Sequence, residues 1–240
     1  MKKLTTLLVI LLYTAGMAIG QNNDATIDQI GDDNIADIEQ LGEGNDAIID
    51  QTGDDDIANI LQIGNQNEAI IEQSQGGSGN RTNIGEIDQE GDENSATQNQ
   101  NIWSAHNTNR AFIDQLGNNN IATQTQSTGS SVRADIDQYG NDNQAFQSQT
   151  FSYSGGTVMI QQNGNENWAN QEVTAGGNSA DIYQTGDDNW GEQLQFGSDN
   201  TAELSQTGLD NWSSQTQSSA DNNSAVTQTG NRNTSTVVQN

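Results

Sequence analysis

The chain of 240 residues contains no cysteine and no proline, one histidine, and six basic residues against 33 acidic ones. Each shortage excludes something. Without cysteine there is no disulfide framework and no thiol chemistry. Without a second histidine there is no Ser/His/Asp or Cys/His relay and no histidine-based metal site. His106 stands in an inserted stretch, Asn101 to Arg110, and reads as a solvated loop residue. The formal net charge of -27 repels nucleic acid and anionic membranes. Apolar residues make up only 30% of the chain. That composition reads as disorder unless the apolar positions recur periodically.

Long hydrophobic runs are scarce too. The exception lies in residues 1–20, where Lys2 and Lys3 precede the apolar run Leu4 to Leu12 and a small-x-small site, Ala18-Ile19-Gly20. This is the pattern of a secretory leader, too short for a membrane anchor. Its removal leaves a domain of residues 21–240 with four arginines against the 33 acids. No later run approaches spanning length, so no membrane insertion is expected.

What is present is a repeat. Glutamine recurs in steps of eleven, and after insertions the steps resume, giving nineteen units that each read small-x-apolar-x-Gln. Alternation of period two predicts a strand with one face inward. One set of strands ends at Gln40, Gln62, Gln89, Gln115, Gln138, Gln162, Gln184, Gln206 and Gln228. Its middle inward residue is always aliphatic: Ile38, Ile60, Ile87, Ile113, Ile136, Ile160, Ile182, Leu204, Val226. The partner set ends at Gln29, Gln51, Gln73, Gln100, Gln126, Gln149, Val173, Gln195, Gln217 and Gln239. Its middle residue passes from Ile27, Ile49 and Ile71 to Gln98, Gln124, Gln147, Gln171, Gln193 and Gln215. A buried glutamine is costly unless bonded. Identical amides stacked about 4.8 Å apart can bond one another along the stack.

The spacing of the insertions groups the strands. The turns after the first set are fixed in length and read Gln-x-Gly-x-x-Asn. Their Gly/Asn pairs are Gly42/Asn45, Gly64/Asn67, Gly91/Asn94, Gly117/Asn120, Gly140/Asn143, Gly164/Asn167, Gly186/Asn189, Gly208/Asn211 and Gly230/Asn233. The alternate turns accept extra residues, as at Gly76-Gly77-Ser78-Gly79. Glycine and asparagine tolerate positive φ, and asparagine can also bond turn backbone. Short hairpins are unstable alone, whereas stacked ones share a core. The expected fold is therefore all-β: a β-solenoid of 22-residue strand–turn–strand units, two parallel sheets and about nine coils.

These residues resemble the curlin repeat of bacterial curli fibre subunits, Ser-x5-Gln-x-Gly-x-x-Asn-x-Ala-x3-Gln. Gln115, Gly117, Asn120, Ala122 and Gln126 match it after its first position, as do Gln138, Gly140, Asn143, Ala145 and Gln149. The first position is mostly asparagine here. The resemblance implies an extracellular amyloid fibre of the biofilm matrix, a homopolymer, with a nucleator subunit and outer-membrane secretion machinery as partners. It points to the major subunit rather than the minor nucleator. No enzymatic activity and no cofactor is expected.

The end strands carry the assembly expectation. Ala25, Ile27 and Gln29 open the repeat, and Val237 and Gln239 close it in mid-pattern without a capping motif. Unblunted, unlike edges favour heterologous joining into a filament by strand addition. The alternative is a monomeric solenoid that binds glycan or Ca²⁺. Acidic turn clusters such as Asp54-Asp55-Asp56 are the motive for Ca²⁺, but turns favour aspartate for backbone reasons alone. Acidic residues also recur at outward sites, Asp28/Asp50/Glu72 and Asp88/Asp114/Asp137, either as a solvating face or as a brake on assembly that acid would release. Trp168, Trp190 and Trp212 lie 22 apart and should stack on one edge.

Overall fold

The computed structural model describes residues 22–76, 82–102, 108–127, 131–150 and 155–240. The leader at residues 1–20, Gly77 to Gly79 and His106 lie outside them. Nineteen strands wind as a solenoid, with no helix among the described residues. The odd strands form a ten-stranded parallel sheet: β1 (Asp24–Ile30), β3 (Asp46–Thr52), β5 (Glu68–Gln75), β7 (Ser95–Ile102), β9 (Ile121–Ser127), β11 (Gln144–Thr150), β13 (Trp168–Val173), β15 (Trp190–Gln195), β17 (Trp212–Gln217) and β19 (Thr234–Gln239). The even strands form a nine-stranded parallel sheet: β2 (Ile35–Leu41), β4 (Ile57–Ile63), β6 (Thr82–Glu90), β8 (Thr108–Leu116), β10 (Arg133–Tyr139), β12 (Thr157–Asn163), β14 (Ser179–Thr185), β16 (Thr201–Thr207) and β18 (Asn223–Thr229).

Each strand pairs with the second one along the chain, and like residues meet like. Ile38 lies beside Ile60 and Ile60 beside Ile87. Ile113 lies beside Ile136 and Ile136 beside Ile160. Insertions are absorbed in the turns, so the register never slips. A slip of one residue would turn the apolar set outward. The apolar inward residues form a main core, chiefly alanine and isoleucine, from Ala47 to Val226, and a small second cluster around Val173. Burial fails only at the ends, where Ile27, Ile38 and Val237 have a neighbour on one side alone and are only partly covered.

The turns need glycine for two reasons. Gly64 and Gly117 sit at φ +126° and +133°, and a Cβ on either would fall on the carbonyl oxygen of the glycine one coil on, Gly91 or Gly140. The recurring asparagines are a correction to the sequence expectation. The sequence pattern gives Asn45, Asn67, Asn94, Asn120, Asn143, Asn167, Asn189, Asn211 and Asn233 a share of the positive-φ duty, yet none of them has positive φ. The left-handed residue is the one just before: Gly44 before Asn45 at φ +72°, and Gln66, Glu93, Asn119, Asp142, Glu166, Asp188, Asp210 and Arg232 before the others, all near φ +60°. The three residues ahead of each asparagine make the bend, and the asparagine stands between bend and strand.

The physical reason is that the asparagine side chain is turned inward as a tie between coils. All but Asn233, in the last turn, are buried. Asn94 donates its backbone N–H and its Nδ2 to Asn67 Oδ1 (3.0 and 3.1 Å), and Nδ2 also to the Gly117 carbonyl (2.7 Å). Asn189 makes the same bonds to Asn167 Oδ1 and Gly208 O, and Asn211 to Asn189 Oδ1 and Gly230 O. Asn23 opens the series, with its Nδ2 on the Gly42 carbonyl (3.1 Å), and Asn45 follows, with its N–H on Asn23 Oδ1 (3.0 Å) and its Nδ2 on the Gly64 carbonyl (2.9 Å). Each turn is thereby tied to the turns before and after it.

Gly117→Ala should destabilise the fold by about 2 kcal/mol or more, from backbone strain and the blocked carbonyl. Gly44→Ala should cost less, because its φ is +72° and a Cβ there would meet only the Gln66 side chain, 3.5 Å away. Urea denaturation of the two variants checks the order.

Candidate functional site in the core ladders and end faces

The glutamines that end the strands are buried, apart from the partly covered Gln29, Gln40 and Gln239 at the two ends, and form two amide columns. In the nine-stranded sheet the column runs unbroken from Gln40 to Gln228. Gln89 Nε2, for example, donates to Gln115 Oε1, and Gln115 Nε2 to Gln138 Oε1, each at 2.8 Å. Each Nε2 also donates to a carbonyl at the start of the strand before it. Gln89 reaches Glu68 O at 3.0 Å and Gln184 reaches Trp168 O at 2.9 Å. One side chain thus bonds along its own sheet and across to the other. A third column, Gln98, Gln124, Gln147, Gln171, Gln193 and Gln215, fills the middle of the ten-stranded sheet and bonds in the same double manner. The desolvation cost of these amides is met by bonds of ordinary length.

Ladders begin and break where an aliphatic residue enters the column. Ile71 lies beside Gln98, and Gln98 Oε1 is buried without a donor. Val173 lies beside Gln195, and Gln195 Oε1 is orphaned likewise. The break at Val173 is visible in sequence; its consequence for Gln195 depends on the direction in which the amides point. Val173 is completely buried and packs with Val132, Ala134, Val158 and Ala180.

Asp56 differs from its neighbours in the cluster Asp54-Asp55-Asp56, which sequence alone treats as three equivalent turn acids. It occupies the asparagine position of its turn, Gln51-Thr52-Gly53-Asp54-Asp55-Asp56, and that alignment is the signal that marks it. It is fully buried. Its Oδ1 accepts from the Asn83 backbone N–H (2.8 Å) and from Gln75 Nε2 (2.5 Å), while Oδ2 has no well-formed hydrogen bond. Burial pushes its carboxyl up to about 6, against the pull of those hydrogen bonds. Among the outward acids, Asp88 and Asp137 are also raised, first by burial, then by neighbouring carboxylates that include Asp114.

The outer faces are built by the same registers. Asp28, Asp50 and Glu72 stand side by side, as do Asp88, Asp114 and Asp137. Trp168 and Trp190 stack with centroids 4.7 Å apart, and Trp190 and Trp212 with centroids 4.9 Å apart. Among the described residues no three acidic or histidine side chains converge where a metal could be held.

The end faces differ. β1 and β2 form one, β18 and β19 the other, and each pairs on one side only among the described residues. Every column bond runs from Nε2 towards the later coil. Gln29 donates to Gln51 (2.7 Å) and Gln40 to Gln62 (2.8 Å), which leaves acceptor oxygens Oε1 facing out at the β1–β2 end. Gln228 and Gln239 occupy the last places and direct Nε2 out of the β18–β19 end. In the glutamine columns one face offers acceptors and the other donors, while the asparagine column runs the opposite way, its Nδ2 groups donating to the Oδ1 of the earlier coil.

Val173→Gln should close the broken column, give Gln195 Oε1 a donor, and stabilise the fold by about 1 kcal/mol; a higher urea midpoint is the check. For Asp56 the folded carboxyl titrates above the ordinary 3.8, so its contribution to stability is lost as pH rises from about 4 to about 6. Asp56→Asn should therefore raise the melting temperature at pH 7 and change it little below pH 4, as thermal melts at the two pH values would show.

A family model described as the curlin associated repeat matches residues 20–53 and 176–208. The first region spans β1 to β3 and the second β14 to β16. No curated protein matches the chain. Two stretches of this solenoid thus match the curlin associated repeat, and the strands between them keep the same inward pattern and register.

Proposed function

We propose that the protein is the structural subunit of an extracellular, curli-like fibre, exported with removal of residues 1–20 and polymerised end to end by strand addition. The observation that carries this reading is the pair of unlike end faces. Both sheets stop with unpaired edges among the described residues, and the amide columns end in acceptors at one face and donors at the other. An open edge invites another strand, and two different faces joined repeatedly give a filament rather than a closed ring. The curlin associated repeats support the assignment to a surface fibre of the biofilm matrix, with roles in adhesion and cell aggregation. On this reading the chain acts as the major subunit, without enzymatic activity, and relies on a nucleator subunit and an outer-membrane export route. The dense acid on the outer faces keeps the monomer soluble before it joins a fibre.

The test uses the full chain expressed with its leader. Material recovered outside the cells is dissolved in denaturant, diluted into buffer, incubated and examined by fibre diffraction. Reflections near 4.7–4.8 Å along the fibre and near 10 Å across it are expected. A protein that refolds and stays monomeric would overturn the reading, as would retention of the chain inside the cell.

A further inference from the structure

The described residues form an odd number of strands, nineteen, divided ten and nine. In a fibre of the kind proposed above, on which this inference rests, that odd number limits how one copy can continue another. Two end-to-end joints can be built. In an in-line joint, β1 of the next copy pairs with β19, so that the ten-stranded sheets are continuous. The winding alternates between sheets, and the next place after β19 belongs to the nine-stranded sheet. The in-line joint skips that place and leaves a gap one strand wide beside β18. In a half-turn joint, β1 of the next copy pairs with β18 and its β2 with β19. No place is skipped, and each continuous sheet of the fibre alternates nine and ten strands.

We propose that successive copies join by the half-turn, with the β18–turn–β19 face of one copy seated against the β1–turn–β2 face of the next.

Three observations carry this. The first is sequence register. The single offset of 199 residues brings Val226 to Ile27, Gln228 to Gln29, Gly230 to Gly31, Asn233 to Asn34, Val237 to Ile38 and Gln239 to Gln40. Both faces are a strand, a Gln-x-Gly-x-x-Asn turn and a strand, so the whole motif is continued. The in-line joint continues one strand only. It sets Asn233 against Asn23, which already bonds as a ladder asparagine, donating Nδ2 to Gly42 O (3.1 Å) and accepting at Oδ1 from the Asn45 N–H (3.0 Å), so either joint continues the asparagine ladder.

The second is an unfilled hydrogen bond. From Gln40 onward, each strand-ending glutamine donates Nε2 to a carbonyl at the start of the strand before it, as Gln40 does to Asp24 O (2.9 Å) and Gln51 to Ile35 O (3.1 Å). Gln29 stands on β1, and among the described residues no strand precedes it. In the half-turn joint the strand before it is β19 of the previous copy, and the equivalent carbonyl is that of Thr234. In the in-line joint that place is the gap. The column bonds close as well, Gln228 Nε2 to Gln29 Oε1 and Gln239 Nε2 to Gln40 Oε1.

The third is charge. The left-handed position of the turns is acidic at Asp142, Glu166, Asp188 and Asp210, then basic at Arg232, in the last turn. Arg232 Nε donates to Asp210 at 3.4 Å and is otherwise open to solvent. The half-turn joint sets Asp33 on its far side, so that the one cation of this column lies between two carboxylates at the joint. The in-line joint sets Arg232 against Asn22.

The chain has no cysteine, so paired thiols report the joint. Full chains carrying Thr236→Cys are mixed with chains carrying Asp37→Cys, polymerised and oxidised. These outward positions become register neighbours only in the half-turn joint, within the separation a disulfide spans. A second mixture pairs Thr236→Cys with Thr26→Cys, neighbours only in the in-line joint. Ser214→Cys with Thr236→Cys in one chain, neighbours within the solenoid, controls for oxidation. Disulfide dimers are expected from the first mixture and not from the second. The reverse result overturns the half-turn joint, and so do fibres that give dimers in neither mixture. Helical reconstruction of unmodified fibres gives an independent reading. The half-turn requires an axial repeat of two copies, about 90 Å, whereas the in-line joint repeats every copy at about 48 Å. A cross-β fibre with the shorter repeat removes the half-turn alone, while absence of any fibre removes the fibre reading and this inference with it.

Discussion

A side-chain amide taken out of water must find partners for two donors and an acceptor, and in this protein it finds them mainly in its own copies one coil away. The rest of the architecture depends on that. For the Gln89 amide to reach both Gln115 and the Glu68 carbonyl, the strands must be parallel, in register and one β-spacing apart. An in-register stack in turn requires coils of equal strand length, turns that stack directly on one another, and extra residues confined to places outside the ladders. Gly64 and Gly117 are needed because turns so close leave no room for a Cβ. A core of this kind lets a chain with only 30% apolar residues hold an ordered interior, because the glutamines are bonded inside rather than excluded from it.

The same rule makes errors in the ladder visible. An aliphatic residue in a glutamine column fills space but supplies no donor, and the amide after it keeps an orphaned oxygen, as Gln98 does after Ile71 and Gln195 after Val173. Val173 is not simply a flaw, for it completes a small second apolar cluster with Val132 and Val158. Asp56 is a different kind of departure. It keeps the acceptor that Asn83 needs and loses the amide donor that asparagine would carry. A carboxyl is left where the medium disfavours charge.

Amide columns are also directional, and that direction survives to the ends of the molecule. Since every glutamine Nε2 points to the later coil, the glutamine columns end in acceptors at one face and in donors at the other. A symmetric, self-closing contact between two like ends would set donor against donor or acceptor against acceptor in those columns. Stacking that makes the interior stable therefore makes the ends complementary to each other. The outer faces carry the opposite character: carboxylates in register repel, while the tryptophans 168, 190 and 212 gain from stacking there.

The period, the inward face and the choice of glycine turns could be read from the chain alone, because strand alternation and an eleven-residue step are one-dimensional properties. Ile38, Ile60 and Ile87 fall on one face by spacing, and identical spacing puts Trp168, Trp190 and Trp212 on one edge. Three matters needed the tertiary structure. The left-handed residue proved to be the one before the asparagine, as Gly44 is before Asn45 and Asp188 before Asn189, because φ at a turn is set by how the chain must meet the next coil. The second bond of each glutamine, to the carbonyl of the preceding strand, joins residues sixteen apart in the case of Gln51 and Ile35 and is fixed by how the two sheets face each other. The direction of the amide columns, and with it the difference between the two end faces, has no counterpart in composition or spacing: a glutamine reads the same either way, and only its neighbours in space decide which way its amide points.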